Sequence, residues 1–288
     1  MAKHKKAPAP SVSELLRLVP AEPVDLAGID PRGTPGVTGG KGAAGDAQQE
    51  LAVQLADLQE RLYASGRTGG QRRVLLVLQG MDTSGKGGTV RHVLGQVDPQ
   101  GVTVAAFGRP TEEELHHDFL WRVERRLPPA GSIGVFDRSH YEDVVVTRVR
   151  GLVPRSTWSP RFGIINRWEE RLVDEGCTVL KVFLHISREE SRRRLLARLD
   201  DPRKHWKFSG DDIDDWGRWD AYTDAYEEAL RRCGTERSPW YVVPADRKWY
   251  RNWAVTALLV EHLTALGLEW PAGTFDVAAE RARLLTAP

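Results

Sequence analysis

Nine consecutive residues, Gly80-Met81-Asp82-Thr83-Ser84-Gly85-Lys86-Gly87-Gly88, are where this chain's chemistry is easiest to read. They follow an apolar run, Val74-Leu75-Leu76-Val77-Leu78, and lead into Thr89-Val90-Arg91-His92-Val93-Leu94. Strand, glycine-rich turn, lysine and helix make a phosphate-binding P-loop. Gly80, Gly85, Gly87 and Gly88 let the backbone N–H groups of the loop, including those of Thr83 and Ser84, turn inward around an anion. The following helix N-terminus adds roughly half a positive charge, and Lys86 adds a full one. The usual pattern has Ser or Thr after the lysine as a Mg²⁺ ligand. Here that position is Gly87, so the metal must be held from elsewhere, and Asp82 inside the loop is the candidate.

A second string, Ile133-Gly134-Val135-Phe136-Asp137-Arg138-Ser139-His140-Tyr141-Glu142-Asp143, is an apolar strand ending in a carboxylate. Beside a P-loop strand, Asp137 would reach Mg²⁺ on the phosphates. A carboxylate after a buried strand can instead cap a helix or close a turn. Arg138 carries a planar fork that matches phosphate oxygens, or else pairs with Glu142 or Asp143. His140 reads as a hydrogen-bonded structural residue, and Tyr141 as core.

The third element is basic. Residues 188–207 hold Arg188, Arg192, Arg193, Arg194, Arg198, Arg203, Lys204 and Lys207 against four acids. After Leu199 the segment is polar and broken by Pro202. Phosphate-transfer enzymes use such segments as lids that exclude water; a solvated charged face is the alternative. Trp206, Trp216, Trp219 and Trp240 read as packing, with stacking on a nucleobase open to one of them.

These groups need a frame. Five apolar runs, 73–79, 102–107, 133–137, 178–186 and 240–244, alternate with helical stretches near 86–97, 111–127, 159–175, 188–199, 215–232 and 247–266. Thr111 with Glu114 and Ser187 with Glu190 have capping-box spacing. The alternation predicts an α/β fold of three layers: a five-stranded parallel sheet with helices on both faces. Residues 1–45, rich in Pro, Gly, Ala and Lys, read as a flexible arm. Leu51, Leu55, Leu58 and Leu62 predict a helix over 46–65. One domain is expected over 46–270, with its lid near 198–215 and a tail over 271–288 that has no firm element.

Composition narrows the class. With 41 Lys and Arg against 40 Asp and Glu the formal charge is +1, so the molecule as a whole does not attract polyanions. Cys177 and Cys233 have neither disulfide nor metal spacing and read as packing residues. The basic start has no apolar signal core behind it, and no run approaches the ~18 apolar residues of a membrane span. The expectation is a cytoplasmic enzyme without a membrane partner. Nucleic-acid binding is disfavoured because the basic segment lacks interleaved stacking aromatics.

Taken together, these elements resemble the polyphosphate kinase 2 family over about Pro31 to Trp270. The P-loop string from Gln79 to Thr89 and the string from Asp137 to Asp143 both match. So do Arg109-Pro110-Thr111-Glu112-Glu113-Glu114-Leu115, Phe119-Leu120-Trp121-Arg122, Trp206-Lys207-Phe208-Ser209 and Pro239-Trp240-Tyr241-Val242-Val243-Pro244-Ala245-Asp246. The resemblance implies a kinase-like fold and reversible transfer between inorganic polyphosphate and a nucleotide, with Mg²⁺ or Mn²⁺, commonly in a homo-oligomer such as a dimer or tetramer. Asp82 and Asp137 would be the paired carboxylates near the metal and the transferred phosphoryl group. Lys86 and Arg138 would hold phosphates. Arg188, Arg198, Arg203, Lys204 and Lys207 would cover the chain of phosphates, and Arg109, Pro110, Tyr141 and Glu142 would border the nucleotide. The strings are most similar to the subgroup that takes AMP as well as ADP. Many of its members have Asn where this chain has Asp137, so AMP-with-ADP use is the expectation and guanine nucleotides stay open. Two other readings remain at this point: an ATP-dependent nucleoside or nucleotide monophosphate kinase, which would normally keep a hydroxyl after the lysine, and a non-catalytic polyanion-binding protein.

Overall fold

The protein, described here from a computed structural model, is defined over residues 10–287; the basic stretch at 1–9 lies outside them. Five strands form one sheet: β1 (Arg73–Gln79), β2 (Val102–Ala106), β3 (Ile133–Asp137), β4 (Cys177–His185) and β5 (Trp240–Pro244). All pairs are parallel, in the order β2-β3-β1-β4-β5. β1 is continuously apolar because helices cover both faces, leaving Val74 to Leu78 at most 1% exposed. β1 lies between β3 and β4, with Leu78 beside Asp137. The loops after β1 and β3 therefore emerge side by side at the carboxyl edge, where open α/β sheets bind ligands.

The helices are α1 (Val12–Leu16), α2 (Gly40–Arg67), α3 (Lys86–Leu94), α4 (Glu112–Leu115), α5 (Trp121–Glu124) and α6 (Glu142–Val149). They continue with α7 (Arg155–Asp174), α8 (Arg188–Leu199), α9 (Gly210–Gly217), α10 (Trp219–Cys233), α11 (Lys248–Ala265) and α12 (Val277–Thr286). The predicted 111–127 helix is two single turns. Asp118 separates them, its side chain accepting the Leu120 N–H at 3.0 Å. The 215–232 helix breaks at Arg218 into α9 and α10. The capping box at Thr111 forms completely. That at Ser187 forms by half: Ser187 accepts the Glu190 N–H, but the Glu190 carboxylate turns to Arg193 and Arg194.

Three regions depart from the sequence reading. α6 falls where no element was expected; its apolar face, Val144 and Val145, is fully buried. Residues 10–39 dock rather than form a flexible arm. Glu261 accepts from the Val12 and Ser13 N–H groups at 2.8 and 2.9 Å. Leu18 N–H bonds the Trp240 carbonyl at 2.9 Å, and Arg17 bridges Tyr241 antiparallel on β5. Leu16 and Leu26 are 5% and 2% exposed, so a few apolar anchors in a Pro/Gly-rich stretch suffice. The tail carries α12, capped by Asp276, with no buried residue. Among the described residues no helix is long and apolar enough to cross a membrane.

Candidate active site

The P-loop leaves β1 at Gly80 and enters α3 at Lys86. Thr83 sits at φ +65 and Gly85 at φ +104. A β-carbon on Gly85 would be 1.8 Å from Arg251 Nη1, so the close approach of that arginine requires glycine. Arg251, on α11, donates to the Ser84 carbonyl at 3.3 Å. Arg194, on α8, donates to the Thr83 and Ser84 carbonyls at 2.9 and 3.2 Å, and its other nitrogen reaches Ala245 and Asp246 carbonyls. Two arginines thus hold the loop by its carbonyls. Burial pulls Arg251 down to about 10, and neighbouring Arg194 adds to the shift.

Lys86 is 8% exposed. Its ammonium donates back to the Gly80 and Met81 carbonyls at 2.8 and 3.3 Å. Burial lowers its pKa and Arg138 adds repulsion, against Asp82, Asp137 and Glu142. Arg138 follows Asp137 at φ +67, a conformation a non-glycine residue holds only where its surroundings impose it. Its guanidinium bonds Asp82 at 2.8 Å and lies 3.7 Å from Glu142. Burial pushes the Asp82 carboxyl up, but Lys86, Arg138 and Arg198 outweigh it and the net shift is downward. Glu142 moves the other way: burial raises its pKa more than Arg138 and Lys86 lower it.

A buried network fixes this turn. Lys181 on β4 and Glu169 on α7 pair at 2.5 Å, both fully buried. Glu169 accepts from Tyr141 at 2.7 Å and Ser238 at 3.0 Å, with His140 Nε2 at 3.3 Å. Lys181 also donates to the Cys233 carbonyl at 2.6 Å. Ser139 Oγ accepts from Gln79 at 3.0 Å, tying the turn to the end of β1. Tyr141 is core, 1% exposed, as read from the residues alone, and does not border the nucleotide as the resemblance implied. His140 is the structural residue it was read as.

Two ligand-sized spaces open from the loop. One is a groove floored by Thr83, Gly85 and Gly88 and walled by Arg193, Arg194, Arg198, Lys204, Lys207, Lys248 and Arg251. Among the described residues no carboxylate lines it. The other, on the Asp82 side, is bordered by Gly108, Arg109, Pro110, Arg138, Glu142, Arg150 and the α9 aspartates Asp211, Asp212 and Asp215. A smaller aromatic cleft beside it is walled by Met81, Trp216, Trp219, Tyr222 and Tyr226.

Most of the residues singled out in sequence converge here, with exceptions. Arg188 stacks over Trp216 at 4.5 Å and faces a separate cavity. Arg203 pairs with Asp201 at 3.0 Å and is 89% exposed at its side chain. Neither lines the basic groove, because Asp201 and Trp216 turn them aside. Trp206 is 78% exposed and Trp240 is core. Arg193, Arg194, Lys248 and Arg251 were missed as residues of the groove. Arg251 had a signal: a lone cation within Trp249-Tyr250-Arg251-Asn252-Trp253 is a polar group in a run otherwise fit for burial.

The site suits a divalent cation. Asp82 and Asp137 both act on Lys86, and a β-carbon at Gly87 would sit 3.4 Å from Asp137 Oδ2. The carboxylate therefore crowds the position where other P-loops carry a hydroxyl. Among the described residues no group of three or more His, Cys, Asp or Glu is placed to hold a metal. One or two carboxylates completed by phosphate oxygens and water is the set Mg²⁺ takes.

A parallel sheet with a P-loop, a facing Asp-Arg and a cationic groove defines a P-loop phosphotransferase. A family model described as Polyphosphate kinase 2 (PPK2) matches residues 41–268. An AMP/ADP-polyphosphate phosphotransferase of Meiothermus ruber is 50% identical over 255 residues, covering 88% of this chain and 94% of the relative. An ADP-polyphosphate phosphotransferase of Rhodopseudomonas palustris is 44% identical, covering 77% and 79%. The crystal structure of polyphosphate kinase 2 from Arthrobacter aurescens TC1 superposes with TM-score 0.93 at 49% identity, over 97% of this chain and 98% of that one. The chain belongs to the polyphosphate kinase 2 family.

Proposed function

We propose that the protein transfers phosphoryl groups reversibly between inorganic polyphosphate and adenine nucleotides, AMP to ADP and ADP to ATP, with Mg²⁺ or Mn²⁺. The observation that carries this reading is the meeting of two spaces at one P-loop: a carboxylate-free cationic groove on the Thr83 side and a mixed pocket on the Asp82 side. The groove suits a polyanion without bases; the pocket suits a mononucleotide. The relatives named above act on polyphosphate with AMP or ADP by name.

In this reading polyphosphate lies along Arg193, Arg198, Lys204, Lys207 and Lys248. The acceptor phosphate enters past Arg109 toward Arg138. Lys86 turns from the Gly80 carbonyl onto the transferring group, and Arg138 spreads the charge of a loose transition state. The acceptor oxygen is already anionic, so no covalent nucleophile is required. A divalent ion on Asp82 and Asp137 would neutralise phosphate charge when bound. The protein would work in the cytoplasm as a homo-oligomer, which light scattering of purified protein measures.

Nucleotide chromatography tests the reaction. Purified protein with long-chain polyphosphate, Mg²⁺ and AMP is expected to yield ADP and then ATP. Transfer to AMP from ATP but not from polyphosphate would overturn the donor assignment. Product from ADP alone would leave the family reaction and overturn AMP use. A second expectation concerns the groove: Lys204→Ala with Lys207→Ala raises the polyphosphate KM more than it lowers kcat, since these cations hold the chain uniformly through the reaction. An equal loss in kcat with unchanged KM would place them at the transferring phosphoryl group instead.

A further inference from the structure

One contact in the acceptor pocket has the chemistry of an internal ligand. Asp211, in the first turn of α9, offers a single oxygen, Oδ2, to two arginines from different elements. Arg109, in the loop after β2, bonds it directly, and Arg150, after α6, reaches it at 3.3 Å. All three line the same pocket. The two arginines are not equivalent. Arg150 has a second, bidentate partner in Asp215, at 3.1 and 2.5 Å, and Tyr222 donates to that same carboxylate at 2.9 Å. It stays held if Asp211 leaves. Arg109 is 79% exposed at its side chain, and among the described residues its one carboxylate partner is Asp211.

The Asp211–Arg109 pair is therefore the exchangeable part of the lid's attachment. A nucleotide phosphate carries more charge than a carboxylate and has three oxygens to match the guanidinium fork. We propose that Asp211 occupies the place of the acceptor nucleotide's phosphate, and that the acceptor enters by displacing it from Arg109. This rests on the reading of that pocket as the acceptor site. Asp211 then sets acceptor affinity: every binding event must first break the pair it makes with the lid.

The test is titration calorimetry of AMP, with KM for AMP and for polyphosphate measured alongside. Asp211→Asn keeps the shape and removes the charge. AMP affinity is expected to rise about threefold, the scale of one exposed ion pair, with the polyphosphate KM unchanged. In an Arg109→Ala background the same substitution is expected to change nothing. Asp214→Asn, an exposed charge on the same helix that does not line this pocket, controls for general repulsion of an anion. Unchanged or weaker AMP binding in Asp211→Asn, or an equal gain in Asp214→Asn, overturns the proposal. A parent protein that transfers phosphate from polyphosphate but binds no AMP overturns the acceptor reading itself.

Discussion

Lys86→Ala lowers turnover from polyphosphate by at least about 100-fold, the scale for losing one preorganised charge contact, while the melting temperature stays at or above the parent's. The two halves of this expectation come from the same burial. Lys86 is 8% exposed, and burial and Arg138 both oppose its charge. A lysine whose folded pKa is lowered subtracts from stability at neutral pH, since the unfolded chain holds the proton more tightly. Removing the ammonium relieves that cost. The Gly80 and Met81 carbonyls lose a donor, which offsets part of that gain. Nucleotide chromatography and a thermal melt on one preparation read both quantities. Turnover within a few-fold of the parent, with the fold intact, would remove Lys86 from the mechanism.

The second large effect falls on stability. Glu169→Gln is expected to cost about 3–5 kcal/mol, because it leaves the Lys181 ammonium buried without its counter-charge. Every oxygen of Glu169 is used: Tyr141 and His140 on one, Lys181 and Ser238 on the other. Burial pushes this carboxyl up, but Lys181 and His140 outweigh it and hold it at about 2, below its ordinary 4.5. The sign follows. The depressed carboxyl stabilises fully above pH 4.5, and that contribution is lost as pH falls toward 2. The stability gap between parent and variant should therefore narrow below pH 4.5. Urea unfolding at pH 7 and pH 3.5 measures it; an undiminished gap at the lower pH would contradict the pairing. Because His140 and Tyr141 lie two and three residues after Arg138, loosening this network is also expected to release the left-handed turn that aims Arg138 at Asp82.

The sheet was readable because parallel strands covered on both sides become unbroken apolar runs, and β1, β3 and β5 match their predicted limits. The site's front was readable for a related reason: Gly80 to Gly88 and Asp137-Arg138 are contiguous, and their chemistry depends on order along the chain. What was obscured depends on distance along it. Arg194 and Arg251 reach the loop from α8 and α11, and in sequence a buried arginine spells the same as a solvated one. Tyr141 is the converse case. The resemblance set it beside the nucleotide, but its hydroxyl meets Glu169 and Lys181 in the interior, together with the His140 ring. α6 was hidden by local propensity, since its valines favour a strand until the core claims them.

The docked segment at 10–39 bears on how the molecule behaves in solution. β5 is the last strand of the sheet, and an uncovered last strand offers free N–H and C=O groups to any other chain. Leu18 takes the Trp240 carbonyl and Arg17 bridges Tyr241, so the segment closes that border with its own backbone, while Leu16 and Leu26 seal apolar surface beside it. Among the described residues the opposite border, β2, has no such cover, and Val104 there is 54% exposed. Shortening the chain to the residues that carry phosphate chemistry would leave the sheet open on both sides. The Pro/Gly-rich start, whose composition suggests it is expendable, is what keeps one of those sides from recruiting a neighbour.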